Sequence, residues 1–173
     1  MIRTLNGKRP NIHPEAFVSE TAYIIGDVTV NARASIWPGT VIRADSGKII
    51  IGEGTNVQDN SVIHADDDAV IGNYVTIGHR VMSHARSIGD NSLVGNGSVL
   101  NDGVVLGKNC LVSAGSVITE NKVYENGSLI RGIPGKSIGH IRPKHQQLID
   151  NATLSYIDRI NDYKKSGLDF RCK

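Results

Sequence analysis

Three histidines, His64, His79 and His84, fall within a span of 21 residues. Neutral imidazole nitrogens are common metal ligands, and three of them around a tetrahedral ion leave a fourth position open for water or substrate. The same residue types also occur as solvated surface side chains. What decides between the two is whether the chain brings the three rings to one place, which depends on the elements that carry them. His13, His140 and His145 show no shared register with this group and read as surface or packing residues.

The elements are set by a period of six. Aliphatic residues recur at Ile12, Val18, Ile24, Val30, Ile36 and Ile42, at Ile51, Val57 and Ile63, at Ile71 and Ile77, and from Ile88 through Val94, Leu100, Leu106 and Val112 to Ile118. Four residues after most of them stands a small or β-branched residue, such as Ala16, Ala22, Ala34, Thr55, Ser92 or Cys110. A helix of period 3.6 cannot hold residues six apart on one side for so long, and a plain strand alternates with period two. Short strands joined by tight turns can, with the aliphatic residue inward and the small one at a corner. Three hexads close one triangular coil, so residues about 18 apart stack at the strand spacing of roughly 4.7 to 4.9 Å. About six coils fit between Ile12 and Ile118, the spacing leaving their hand open. The rhythm breaks at three places, with extra residues between Ile42 and Ile51 and between Ile63 and Ile71, and one missing between Ile77 and Ile88.

Used as a ruler, the repeat puts the hexads starting at Ile24, Ile42, Ile63, Ser83 and Leu100 on one face. Arg43, His64, His84 and Asn101 then form one outward column, with His64 and His84 on consecutive rungs. Two imidazoles at that spacing can hold one metal ion. His79 belongs to the neighbouring face, in a column with Pro38, Asp59 and Asn96, and does not converge with the other two around a corner of a narrow prism. A second subunit resolves this, and a threefold ring completes three equivalent sites. The ligand geometry therefore predicts a homotrimer with metal between its subunits.

Composition narrows the alternatives. Aromatic residues are only 5% of the chain and glycines number 19, so the core is built from aliphatic and small side chains. A formal net charge of +2, with both signs interleaved, gives no electrostatic footprint for nucleic acid. No apolar run approaches the roughly 20 residues that span a bilayer, and residues 1–10 lack the apolar stretch of a signal peptide, so no membrane partner and a cytoplasmic location are expected. Cys110 and Cys172 fit no disulfide framework. After the coils, Pro143 and Gly167 bracket an amphipathic helix with Ile149, Ala152, Tyr156, Ile160 and Tyr163 on one face. The expected organisation is a β-helix domain with its N-terminal cap over 1–141, and a helix and tail over 142–173 packing back on the prism.

The runs SIWPGTVIRAD (35–45), TNVQDNSVIH (55–64) and VTIGHRVMSHARSIGDNSLVGNGSVL (75–100), with GIPGK at 132–136, resemble the γ-class carbonic anhydrases and their bacterial relatives over about residues 10–165. The histidine followed by GHxxxxH is far more specific than a hexapeptide repeat alone. The resemblance implies an all-β, left-handed parallel β-helix with a C-terminal helix, assembled as a homotrimer. It implies zinc, or iron or cobalt, bound by His64 and His84 of one subunit and His79 of the next. The implied reaction is the reversible hydration of carbon dioxide to bicarbonate by a metal-bound hydroxide. Arg43, Asp45, Gln58 and Asp59 match the family's further site residues, with Arg43 paired to Asp59 or Asp45 across the interface and Gln58 orienting the water. The chain departs from the family at Ser46, where the prototypes carry a glutamate, and at Ser83, Ala85 and Asn96. Asp66, Asp67 and Asp68 follow His64 as a short acidic loop. Two other functions share this fold: a hexapeptide acyl- or acetyltransferase, which needs one basic histidine rather than three in register, and a catalytically weak metal-binding scaffold.

Overall fold

The six-residue period closes into a three-sided parallel β-solenoid of about seven turns, followed by one helix, in a computed structural model that describes residues 1–172. Lys173, the last residue of the expected helix-and-tail segment, lies outside the described residues. On the first face Ile2, Ile24, Ile42, Ile63, Ser83, Leu100 and Ile118 stack in register. The second face stacks Ile12, Val30, Ile51, Ile71, Ile88, Leu106 and Tyr124. The third stacks Val18, Ile36, Val57, Ile77, Val94, Val112 and Ile130. Nearly all of these side chains are fully buried and form one core cluster down the prism axis.

The six coils counted between Ile12 and Ile118 are present, and residues outside that span add the seventh. Ile2 starts an extra rung, displaced from the 18-residue spacing by the turn that pairs Leu5 with Lys8, and Tyr124 fills an aliphatic position with an aromatic ring at the far end. Every strand pairing among the described residues is parallel except the closing hairpin, Ser128–Gly132 against Gly135–His140. Of the breaks in the repeat, the first lies within a strand, Val41–Ile51, which runs on around a corner through Ser46 and Gly47, and the second lies in the loop that follows His64, where Asp68 Oδ1 accepts the Lys48 backbone N–H at 2.8 Å.

The corner after the third face positions the residues of interest. Gly39, Asn60, Arg80 and Gly97 occupy equivalent places there, all with left-handed backbone (φ 70°, 59°, 55° and 67°). Asn and Gly adopt this conformation readily, whereas Arg80 does so at a cost that the stacked turns above and below must offset. Pro38, Asp59, His79 and Asn96 immediately precede these residues, so the turn presents the Asp59 and His79 side chains at the prism edge.

The helix Pro143–Lys165 packs on the third face, beside Ser35–Ile36, Asn56–Val57 and Thr76–Ile77. Pro143 opens it, and the His145 ring accepts the Arg142 backbone N–H at 3.0 Å, the reach-back half of a capping box. Tyr156 and Tyr163 stack edge-on against Trp37, with ring centroids 4.9 and 4.7 Å away, and Tyr163 also meets Phe17. Phe17, Trp37, Tyr156 and Tyr163 thus fasten the helix, while the solenoid core is mostly aliphatic, with Tyr124 at its far end. Beyond the helix, Asp169 accepts the Val18 backbone N–H and pairs with Arg171, whose guanidinium reaches the carbonyls of Pro14 and Ala16. No helix among the described residues is long and apolar enough to cross a membrane.

Candidate metal centre

His64 and His84 stand on adjacent rungs of the first face, because Ile63 pairs with Ser83 and the next residue of each strand points outward. Their rings meet edge to face, with centroids 4.7 Å apart and His64 Nδ1 3.3 Å from His84 Nε2. The remaining nitrogen of each ring touches a carboxylate. His64 Nε2 lies 3.1 Å from Asp45 Oδ2, and His84 Nδ1 lies 2.7 Å from Asp102 Oδ1. A carboxylate only accepts, so each of those nitrogens carries the proton. With both rings neutral, the two nitrogens that face one another would each present a lone pair, the donor pair that a cation between them requires.

A metal ion fits that demand. Two nitrogens each about 2.0 to 2.1 Å from a zinc ion in a tetrahedral shell stand about 3.3 Å apart, which is the separation seen between His64 Nδ1 and His84 Nε2. Carboxylates holding the outer nitrogens of ligating histidines are the usual support for such a shell. Asp66 completes an in-chain group, with donor atoms of His64, Asp66 and His84 all within 4.8 Å of one another. Its side chain is 74% exposed and 3.9 Å from His64 Nε2, so it is the loosest member.

His79 lies outside that group, as the register argument expects for a single chain. It sits on the third face beside Asp59, whose register partner it is, and its Nδ1 is 3.0 Å from Asp59 Oδ2. Its Nε2 faces the Tyr156 hydroxyl of the helix at 3.4 Å. Burial, and then the nearby Asp59 charge, push the Tyr156 phenol above its ordinary value, so it remains a proton donor. Asn96 Oδ1 accepts the His79 backbone N–H at 3.0 Å and braces the turn. Gly78 permits this contact, since a Cβ there would lie 2.4 Å from that same oxygen.

The other expected residues divide between the two faces. Within this chain Arg43 pairs with Asp45, and Asp45 Oδ2 accepts from both Arg43 and His64. Residues i and i+2 of a strand share a side, which is why this pair closes locally. Gln58 is buried on the third face, with its amide nitrogen donating to Asn56 Oδ1 at 3.0 Å. An open cleft of about 920 Å³ adjoins the first-face histidines and is lined by Ser46, Asp66, Asp67, Asp68, His84 and Asp102 among others. Sequence reasoning missed Asp102 and Tyr156. Asn101, which it placed above His84, instead donates to Glu120, and the next residue in the turn reaches the ring.

Comparisons with known proteins bear on the same site. The description "Bacterial transferase hexapeptide (six repeats)" matches residues 87–120. "Gamma carbonic anhydrase 1, mitochondrial" of Arabidopsis thaliana is 34% identical over 157 residues, 86% of this chain, and the chain spans 57% of that relative's length. The carbonic anhydrase of Geobacillus kaustophilus is 32% identical over 166 residues, covering 95% of this chain and 91% of the relative. The chain belongs to the γ-class carbonic anhydrase-like family of hexapeptide-repeat proteins. Family membership extends to the fold: the crystal structure of a hexapeptide transferase family protein from Anaplasma phagocytophilum matches with a TM-score of 0.90 at 38% identity, covering 94% of this chain and 98% of that one.

Proposed function

We propose that this protein catalyses the reversible hydration of carbon dioxide to bicarbonate at a metal ion held between the subunits of a homotrimer. His64 and His84 of one subunit and His79 of the next would hold the ion. The observation that carries this reading is the pair of imidazole nitrogens facing each other across 3.3 Å, each ring held by its own carboxylate. His79 also has a carboxylate, Asp59, on Nδ1, while its Nε2 meets the Tyr156 hydroxyl and it lies on a different face from the other two.

Assembly has a surface to use. Tyr23, Val41, Val62, Met82, Val99 and Val117 stack in register as an outward apolar column on the first face, one strand position away from the inward residues that precede Arg43, His64 and His84. Solvent-facing columns of this kind are expected where another chain covers them.

A bound zinc, iron or cobalt ion supplies Lewis acidity, which brings the pKa of a water toward neutrality so that hydroxide is available to add to the carbon of CO2. The protein's own residues do the rest. Asp45, Asp59 and Asp102 fix ring orientation and proton position on the three histidines. Arg43, half exposed and tied to Asp45, offers positive charge to the bicarbonate product. Gln58 holds the reacting water through its side-chain amide. The proton released leaves through the open cleft, where Asp67 and Asp68 can accept it.

An Asp–His pair such as His84–Asp102 also suits a general base, which is the observation favouring acyl transfer as a second reading. Metal content separates the two. Protein purified without chelators is expected to carry about one zinc, iron or cobalt per subunit and to hydrate CO2. Protein that takes up no metal, even when offered zinc or anaerobic ferrous iron, has no hydratase site.

A further inference from the structure

The helix reaches the site through a buried chain of hydrogen bonds with a single direction. Gln58 Nε2 donates to Asn56 Oδ1 at 3.0 Å, and Asn56 Nδ2 donates to Thr76 Oγ1 at 2.9 Å. The Thr76 and Thr153 hydroxyls are 3.1 Å apart, and Thr153 Oγ1 donates to the Tyr74 backbone carbonyl at 3.2 Å. All four side chains are buried, from 0% exposure at Asn56 to 5% at Gln58.

The last link sets every other one. A carbonyl oxygen only accepts, so the single Thr153 proton goes to Tyr74. Thr76 must then donate to Thr153, and can accept only from the Asn56 amide nitrogen. That places Asn56 Oδ1 toward Gln58, whose NH2 must face it. Gln58 Oε1 is left pointing the other way. Among the described residues no buried side-chain nitrogen or oxygen lacks a partner, so Oε1 is the atom through which Gln58 reaches solvent.

We propose that Thr153, on the C-terminal helix, is a positioning residue that locks the Gln58 amide with its carbonyl oxygen outward. Resting on the hydratase reading, this makes Gln58 an acceptor for a protonated oxygen, the attacking water in one direction and the bicarbonate hydroxyl in the other. A reversed amide would present N–H donors there and favour bare anionic oxygens instead. Thr153→Val keeps the shape of the side chain and removes both the acceptor for Thr76 and the terminating donor. The Asn56 and Gln58 amides are then free to turn over together.

The test follows the Gln58 side-chain NH2 by NMR hydrogen exchange in the full-length assembly, alongside CO2 hydration and metal content. The wild-type NH2 is expected to be protected, Thr153→Val to exchange about tenfold faster, and Thr153→Ser to behave as wild type. Turnover should fall by a similar factor in Thr153→Val with metal per subunit unchanged, and Thr153→Ser should restore it. Thr76→Val cuts the same chain one link earlier and gives the same test should Thr153→Val not fold. An unprotected wild-type NH2, or equal protection in the valine variants, overturns the positioning role. Thr153-dependent protection in a protein that does not hydrate CO2 upholds the orienting chain and removes only the reaction assigned to it.

Discussion

The two regions that carry the histidines are built on different terms. On the first face His64 is 9% exposed by side chain, and its ring, that of His84, and two carboxylates form a closed cluster within one chain. On the third face His79 is 44% exposed, and its ring meets Asp59 and a helix tyrosine. The first region has most of a coordination shell without a partner. The second has one histidine, outside the His64, Asp66 and His84 group of the described residues. The contrast teaches that the repeat sets which histidines can meet inside a subunit, while the corner between faces keeps the third apart from the other two.

In the proposed trimer, assembly joins the two regions, so the largest effect should come from preventing it. Val99→Asp places a charge in the outward apolar column and is expected to weaken association by on the order of a hundredfold or more, seen by light scattering as loss of the trimer and with it the metal. His84→Ala should leave the assembly intact but retain less than about a tenth of the wild-type metal, measured by elemental analysis, with hydration falling in parallel. Asp102→Asn keeps the ligand and loses the carboxylate that fixes it, so zinc affinity should drop by roughly 10- to 100-fold in competition with a chelator. Asp169→Ala, remote from both regions, should cost about 2 kcal/mol in thermal or denaturant unfolding and leave metal affinity alone. Burial opposes the Asp169 charge, but its bonds to Arg171 outweigh this and hold the carboxyl below the usual range. The folded chain thus keeps Asp169 ionised to lower pH than the unfolded chain does. Its contribution is present above the ordinary value of about 3.9 and is lost as the pH falls through the folded one.

Much of this could be read from the sequence because the solenoid turns position along the chain into position in space. Inward isoleucines and valines every six residues make the faces countable, and counting them puts His64 beneath His84 and sets His79 apart. The extra rung escaped because Ile2 stands 22 residues before Ile24 rather than 18, and because Tyr124 is aromatic. Asp102 escaped because a turn, not a strand, carries it to His84. Tyr156 and Thr153 were legible as members of a helix but not as neighbours of His79 and Thr76, since no repeat encodes where a helix docks. The Arg43–Asp45 pair was open to inference from strand alternation alone.

The central claim is that one metal site draws on two subunits, and mixing two inactive variants tests it directly. His79→Ala and His84→Ala subunits, each metal-poor alone, would be unfolded together and reassembled in equal amounts. A site shared between subunits regains an intact ligand set wherever a His79→Ala chain offers His64 and His84 to the His79 of a His84→Ala chain, so metal and hydration should return to about a quarter of the wild-type level. Mixed assemblies that form and yet regain neither would contradict the account and place the whole site within one chain.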